Sequence, residues 1–270
     1  MGKDLLGSLE LNRVYQMDCI EGMRLIPDNS IDLTVTSPPY DNLRKYKGYS
    51  FNFEFVANDL YRITKSGGVV VWVVGDATVE GSETGNSFKQ ALYFKDIGFN
   101  LHDTMIYRKN SYPFPPHNRY YQQFEYMFIL SKGTPKTTNL LRVPTKWRKN
   151  NEEIATTRNR DGSVSTMKYQ KGKETRIKDN VWEIDTGYMR TTRDKFAYEH
   201  PAMFPESLAN DHILTWSNEG DVVLDPFMGS GTTAKMVQMN GRRYIGFEVS
   251  SEYIDLINKR LKSLEEDFSP

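Results

Sequence analysis

The sequence predicts an α/β fold, a mainly parallel sheet with helices on both faces. Three observations lead there. Val69-Val70-Val71-Trp72-Val73-Val74 is an unbroken, mostly β-branched run, the pattern of a strand covered on both sides. Strand-like and helix-like stretches alternate across 31–130 and again across 205–264. A glycine-bearing turn, Asp225 to Thr233, joins a short apolar strand to a helix.

Taken in order, Ile31–Thr36 reads as a buried strand and Phe53–Ile63 as a helix with one apolar face. Lys65-Ser66-Gly67-Gly68 reads as a stop before the valine run. Ser87–Ile97 is the next helix, and Asp103–Tyr107 and Tyr126–Leu130 are further strands. Regular pattern returns after 200. Pro205–Trp216 is helical, Val222–Leu224 a strand, Thr232–Met239 helical, Tyr244–Phe247 a strand and Glu252–Leu264 a final amphipathic helix.

Between 133 and 199 apolar runs are scarce. From 142 to 178 there are eleven basic against four acidic residues. A solvated loop is the plainer account of that composition; an inserted nucleic-acid contact surface is the functional one. The expected organisation is therefore 1–132 and 200–270 as two halves of one domain, with 133–199 inserted between them.

With 35 basic and 35 acidic residues among 270, the whole chain is neutral, so a polyanion would have to be held by a local patch. The single cysteine, Cys19, excludes an internal disulfide and a cysteine metal cluster. That usage fits a reducing cytosol. No metal-ligand set is evident around the four histidines. No apolar stretch has the length of a signal peptide core or a membrane span.

Two motifs carry chemistry. Thr36-Ser37-Pro38-Pro39-Tyr40 ends the first strand with a hydroxyl, two rigid prolines and an aromatic ring. Proline stops a strand and has no N–H, so such a turn presents acceptors without a competing donor. The second motif, Asp225-Pro226-Phe227-Met228-Gly229-Ser230-Gly231-Thr232-Thr233, lacks the lysine of a nucleoside-triphosphate loop and the third glycine of a dinucleotide fingerprint. Taken singly it is an ordinary tight turn. Glu248 closes the next strand, 17 residues after Gly231, where a carboxylate can bind both hydroxyls of a ribose. Loop and acid together favour a nucleoside cofactor.

The ordered pair of motifs resembles the β group of amino-methylating DNA methyltransferases. The resemblance covers about residues 12–262. It includes Tyr15-Gln16-Met17-Asp18-Cys19, Glu125–Lys132 and His200-Pro201-Ala202-Met203-Phe204-Pro205. It implies a Rossmann-like methyltransferase fold with permuted motif order and an inserted target-recognition region. The implied cofactor is S-adenosylmethionine and the implied partner double-stranded DNA. By the same analogy the protein acts in the cytoplasm and can form a homodimer, and a restriction endonuclease would be a separate chain.

The resemblance also assigns roles. Ser37, Pro38, Pro39 and Tyr40 would hold a flipped base. Phe227, Gly229 and Gly231, with Pro226, Ser230 and Thr232, would shape the cofactor pocket. Asp225 would lie near the methionine amino group, Ser207 near its carboxylate and Glu248 at the ribose. Asp18, beside Cys19, would accept from the adenine amine, and Pro201, Phe204 and Pro205 would line the outer pocket. Arg44, Lys45, Arg148 and Lys149 are candidate DNA contacts. Trp147, Trp182 and the aromatic loop Tyr112–Tyr121 divide between DNA contact and packing. In this family serine at the position of Ser37 is usual for cytosine-N4 enzymes and aspartate for adenine-N6 enzymes, which favours cytosine. A silent DNA-binding module, an RNA or protein methyltransferase and a nucleotide-binding dehydrogenase are the rival readings.

Overall fold

The computed structural model describes residues 4–39, 52–110, 118–145, 154–168, 174–200, 203 and 205–267. They form two compact units. One comprises 1–139 and 180–270, the other 140–179.

The larger unit is built on eight strands: β1 (Arg13–Gln16), β2 (Ile31–Thr36), β3 (Thr64–Val74), β4 (Asn100–Lys109), β5 (Phe124–Ser131), β6 (Val181–Ile184), β7 (Val222–Asp225) and β8 (Arg243–Glu248). Their order across the sheet is β6-β4-β5-β3-β2-β7-β8-β1. Pairing is parallel except where β5 runs antiparallel to both its neighbours. The mainly parallel sheet expected from the alternation is thus present.

The helices are α1 (Cys19–Arg24), α2 (Phe53–Ile63), α3 (Asn86–Asp96), α4 (Glu206–Trp216), α5 (Thr232–Met239) and α6 (Ser251–Asp267). Side chains alternate across a strand, and both sets in β3 are buried. Val70, Trp72 and Val74 join Met23 of α1, Leu60 of α2 and Phe94 of α3 in one core. Val69, Val71 and Val73 point to the other face, the side on which α4 packs against β2 and α5. Trp72 is the centre of the first layer, with the Phe53 and Phe94 rings edge-on at 6.0 and 5.2 Å. α2 begins at Asn52, whose side chain accepts from the Phe55 N–H at 3.4 Å, and buries Val56, Ala57, Leu60 and Ile63 at helical spacing.

The expected stop at 65–68 is corrected by the structure. Thr64–Gly68 begins β3, and the register against β2 shifts between Ile31 and Leu33. Gly67 takes φ 82 and donates to the Lys132 carbonyl at 2.6 Å, so the glycines make an irregularity inside the sheet rather than its end.

The smaller unit, Leu140–Asp179, is narrower than the 133–199 segment marked by composition. Arg142–Pro144 pairs antiparallel with Thr175–Ile177, and Ile154–Arg158 with Val164–Lys168. Val181–Ile184 instead joins the main sheet as β6, where Trp182 is buried and stacks on His212 at 4.6 Å. Trp182 is a core residue, not a wedge. Trp147 and residues 112–117 lie outside the described residues.

Candidate active site

From β2 the chain passes to β3 on one side of the sheet; from β7 it passes to β8 on the other. The diverging connections leave a crevice at the carboxyl ends of β2 and β7, the place where open α/β sheets bind ligands. A cavity occupies that crevice. Its wall includes Met17 and Cys19 after β1, Ser37 and Pro39 after β2, Pro226–Ser230 and Thr232 after β7, and Phe247–Val249 at β8. His200, Met203 and Tyr253 complete it.

The glycine loop is held from both sides. The Gly229 N–H donates to Glu248 Oε2 at 2.9 Å, and Glu248 Oε1 accepts from the Ser250 N–H at 2.9 Å. Gly231 caps α5 with φ 79 in the left-handed region, and a Cβ there would lie 3.1 Å from Ile257. Backbone and packing both ask for glycine. Burial raises the pKa of Glu248, against the lowering effect of the Ser250, Gly229 and Val249 N–H groups.

Asp225 is engaged within the protein at the foot of the glycine loop. It is 1% exposed and absent from the cavity wall. Oδ1 accepts from Thr36 Oγ1 at 2.6 Å and the Phe227 N–H at 3.0 Å, and Oδ2 from Thr233 Oγ1 at 2.7 Å. Its carboxylate ties the end of β2 to the glycine loop. Burial pushes its pKa up to about 6, while those three donors pull it down. Ser207 is exposed on α4. Pro205 is buried at the N-cap of α4, and Pro38 is buried between two wall residues.

Asp18 caps α1, its Oδ1 accepting from the Ile20 and Glu21 N–H groups at 2.8 and 3.3 Å. Cys19 is 6% exposed, and burial, with Asp18 beside it, pushes its thiol up to about 12. A protonated thiol is no nucleophile. Tyr40, Arg44, Lys45, Arg148, Lys149, Pro201 and Phe204 lie outside the described residues.

The sequence reading gave no role to Met17, Met203, Met228, Phe247, Val249 or Tyr253, all of which line the cavity. Tyr253 had no local signal, because it reads as one position of an amphipathic helix. Met228 occupies the variable place between Phe227 and Gly229. The composition of the wall fits S-adenosylmethionine: aromatic and thioether surface for a purine, a glycine turn for close approach, and a carboxylate acceptor for a ribose. Among the described residues no His, Cys, Asp and Glu group has the arrangement of a metal site. No described helix is long and apolar enough to cross a membrane.

The chain matches the N6/N4 DNA methylase family model over residues 31–259. It is 62% identical over 241 residues to the orphan methyltransferase M.BamHII of Bacillus amyloliquefaciens, covering 88% of this chain and 91% of that protein. It is 29% identical to the type II methyltransferase M.HinfI of Haemophilus influenzae, covering 94% of this chain and 69% of that one. Among solved structures, the cytosine-N4-specific PvuII DNA methyltransferase superposes with a TM-score of 0.69 at 20% identity, over 96% of this chain and 90% of that one. A Thermus thermophilus protein described as a DNA modification methylase, complexed with S-adenosyl-L-methionine, gives 0.63 at 25% identity, over 93% of each chain.

Proposed function

For a chain that belongs to the N6/N4 DNA methylase family, and is therefore a DNA methyltransferase that uses S-adenosylmethionine, we propose that the acceptor is the N4 amine of a cytosine flipped out of duplex DNA. One observation carries the reading. Ser37 and Pro39 open into the same cavity as the glycine loop and Glu248, so a base held by the first motif faces a cofactor held by the second.

The bound cofactor supplies a sulfonium methyl group. Glu248 would accept from its ribose hydroxyls, and Phe227, with Gly229 and Gly231, would shape the pocket around its methionine and ribose. Asp18, with Oδ1 engaged at α1, would accept from the adenine amine through its other oxygen. A target amine is out of reach inside the stack, so the base must leave it. Ser37 Oγ and the Pro38 carbonyl accept from the amine and aim the nitrogen lone pair at the methyl group. Tyr40 supplies a ring for the base to stack on. The amine nitrogen would take the methyl group as the sulfonium S–C bond breaks, and the amine proton would pass to water. Positioning is the main catalytic contribution. The neutral Ser37 hydroxyl supports cytosine over adenine. The basic segment 142–178 supplies phosphate contacts and target reading. One chain carries both motifs, so the chemistry needs no partner subunit or endonuclease. The bacterial methyltransferases it resembles support action in the cytoplasm.

The test is methylation of plasmid DNA with labelled cofactor, followed by mass spectrometry of the nucleosides. N4-methylcytosine is expected; N6-methyladenine would overturn the choice of base. Ser37→Ala should lower kcat about a hundredfold or more while cofactor affinity stays within about twofold. Wild-type turnover in that variant would remove Ser37 from the mechanism.

A further inference from the structure

Behind the glycine loop, outside the cavity wall, lies a buried charge cluster that the proposed chemistry does not use. Arg260 of α6 is 0% exposed. Nη1 donates to the Ser230 carbonyl and to Thr232 Oγ1, each at 3.0 Å. Nε donates to Asp194 Oδ2 at 2.7 Å, and Nη2 to Glu206 Oε1 at 2.6 Å and Thr192 Oγ1 at 3.1 Å. Lys235 Nζ lies 2.8 Å from the same two carboxylates. Two cations and two anions balance. Hydrogen bonds from Lys235 and Arg260 hold the Asp194 carboxyl below its ordinary range, against the opposing effect of burial.

The partners of Arg260 come from the glycine loop and from the ends of a second segment that lines the cavity. Ser230 and Thr232 are wall residues of the glycine loop. Asp194 and Glu206 bracket, in the chain, the segment carrying His200 and Met203, which also line the cavity. The walls meet with no slack: a Cβ on Gly229 would lie 3.2 Å from His200 Nε2. A planar guanidinium sets direction as well as distance for each arm, which a lysine ammonium cannot do.

We propose that Arg260 is a positioning residue for the cofactor: its guanidinium clamps the glycine loop to the His200 segment and sets the spacing of the two cavity walls. This rests on the reading of the cavity as the S-adenosylmethionine site. Arg260 touches no substrate, so its effect is on cofactor affinity. Arg260→Lys keeps the charge balance but cannot reproduce the arm to Ser230 and Thr232.

The experiment measures KM for S-adenosylmethionine, kcat at saturating cofactor and DNA affinity without cofactor, for wild type, Arg260→Lys and Glu248→Gln. Arg260→Lys should raise KM about tenfold with kcat within about threefold and DNA affinity unchanged. A purely structural arginine would lower kcat through loss of active protein and leave KM alone; that result overturns the clamp. If Glu248→Gln weakens cofactor binding and Arg260→Lys does not, the clamp falls and the cavity assignment stands. If neither changes it, both fall. Should Arg260→Lys not fold, Arg260→Gln with Asp194→Asn removes one charge of each sign. The same rise in KM is expected there, and a KM within about twofold of wild type overturns the clamp.

Discussion

Asp225→Asn probes the buried joint between the two motifs. The carboxylate accepts three hydrogen bonds, yet burial pushes its pKa up to about 6 from an ordinary 3.8. At 1.36 kcal/mol per pKa unit, that difference means about 3 kcal/mol of stability lost when the buried group ionises. The direction follows from proton binding. Between pH 3.8 and about 6 the folded protein keeps a proton that the unfolded chain has released. The contribution is therefore complete below pH 3.8 and is lost as pH rises through about 6.

Asparagine fits the same bonds without titrating. Its oxygen can accept from Thr36 and the Phe227 N–H, and its amide can donate to Thr233 Oγ1, which keeps the Val35 carbonyl as acceptor at 3.2 Å. Stability of Asp225→Asn minus that of wild type should therefore grow by about 2.4 kcal/mol between pH 4 and pH 7. At roughly 2–3 kcal/mol per molar urea, this is a relative midpoint change of about 1 M. Urea unfolding followed by tryptophan fluorescence at several pH values measures it. Carboxylates that do not interact with Asp225, Asp194 among them, titrate in both proteins and cancel in the difference, and Glu248, which does interact with it, is removed by running the comparison in a Glu248→Gln background. Midpoints that stay parallel from pH 4 to pH 7 would refute the raised pKa and the account of the joint built on it.

Other expectations concern the same crevice. Cofactor affinity should fall as pH is lowered through the raised pKa of Glu248, because a protonated carboxyl is a poorer acceptor for two hydroxyls. Titration calorimetry across pH checks this, and Glu248→Gln should bind weakly at every pH. Gly246→Ala places a Cβ 2.0 Å from Met228 Cε and 3.0 Å from the Asp225 carbonyl. It should cost about 1–3 kcal/mol, read as a lowered Tm, because the backbone neighbour cannot give way as the methionine can. Cys19, with its thiol near 12, should resist iodoacetamide at pH 8 in the folded protein and take one equivalent after unfolding; labelling of the native protein would contradict its burial.

Much of this protein is written in short stretches of its chain. The valine run, the bounds of β2 and α2, the proline stop after Ser37 and the glycine turn before α5 all follow from local chemistry. Covering on two faces, proline's missing N–H and a left-handed cap each act within a few residues. β1 and β6 were harder to see. Each has four residues and is partly exposed, and β6 lies just after a basic stretch whose composition suggests a loop.

The partners of the buried charges were invisible for a different reason. Asp225 stands in a motif where a cofactor contact is the natural reading, and Arg260 in a helix where arginine usually faces water. Only the fold brings Thr36, 189 residues away in the chain, to Asp225, and Asp194 and Glu206 to Arg260. A buried charge must find a partner, and which partner it finds depends on the elements packed around it. The chain by itself determined the two motifs and the strands and helices that carry them. The tertiary structure decided which of their polar groups open into the cavity and which are spent holding its walls together.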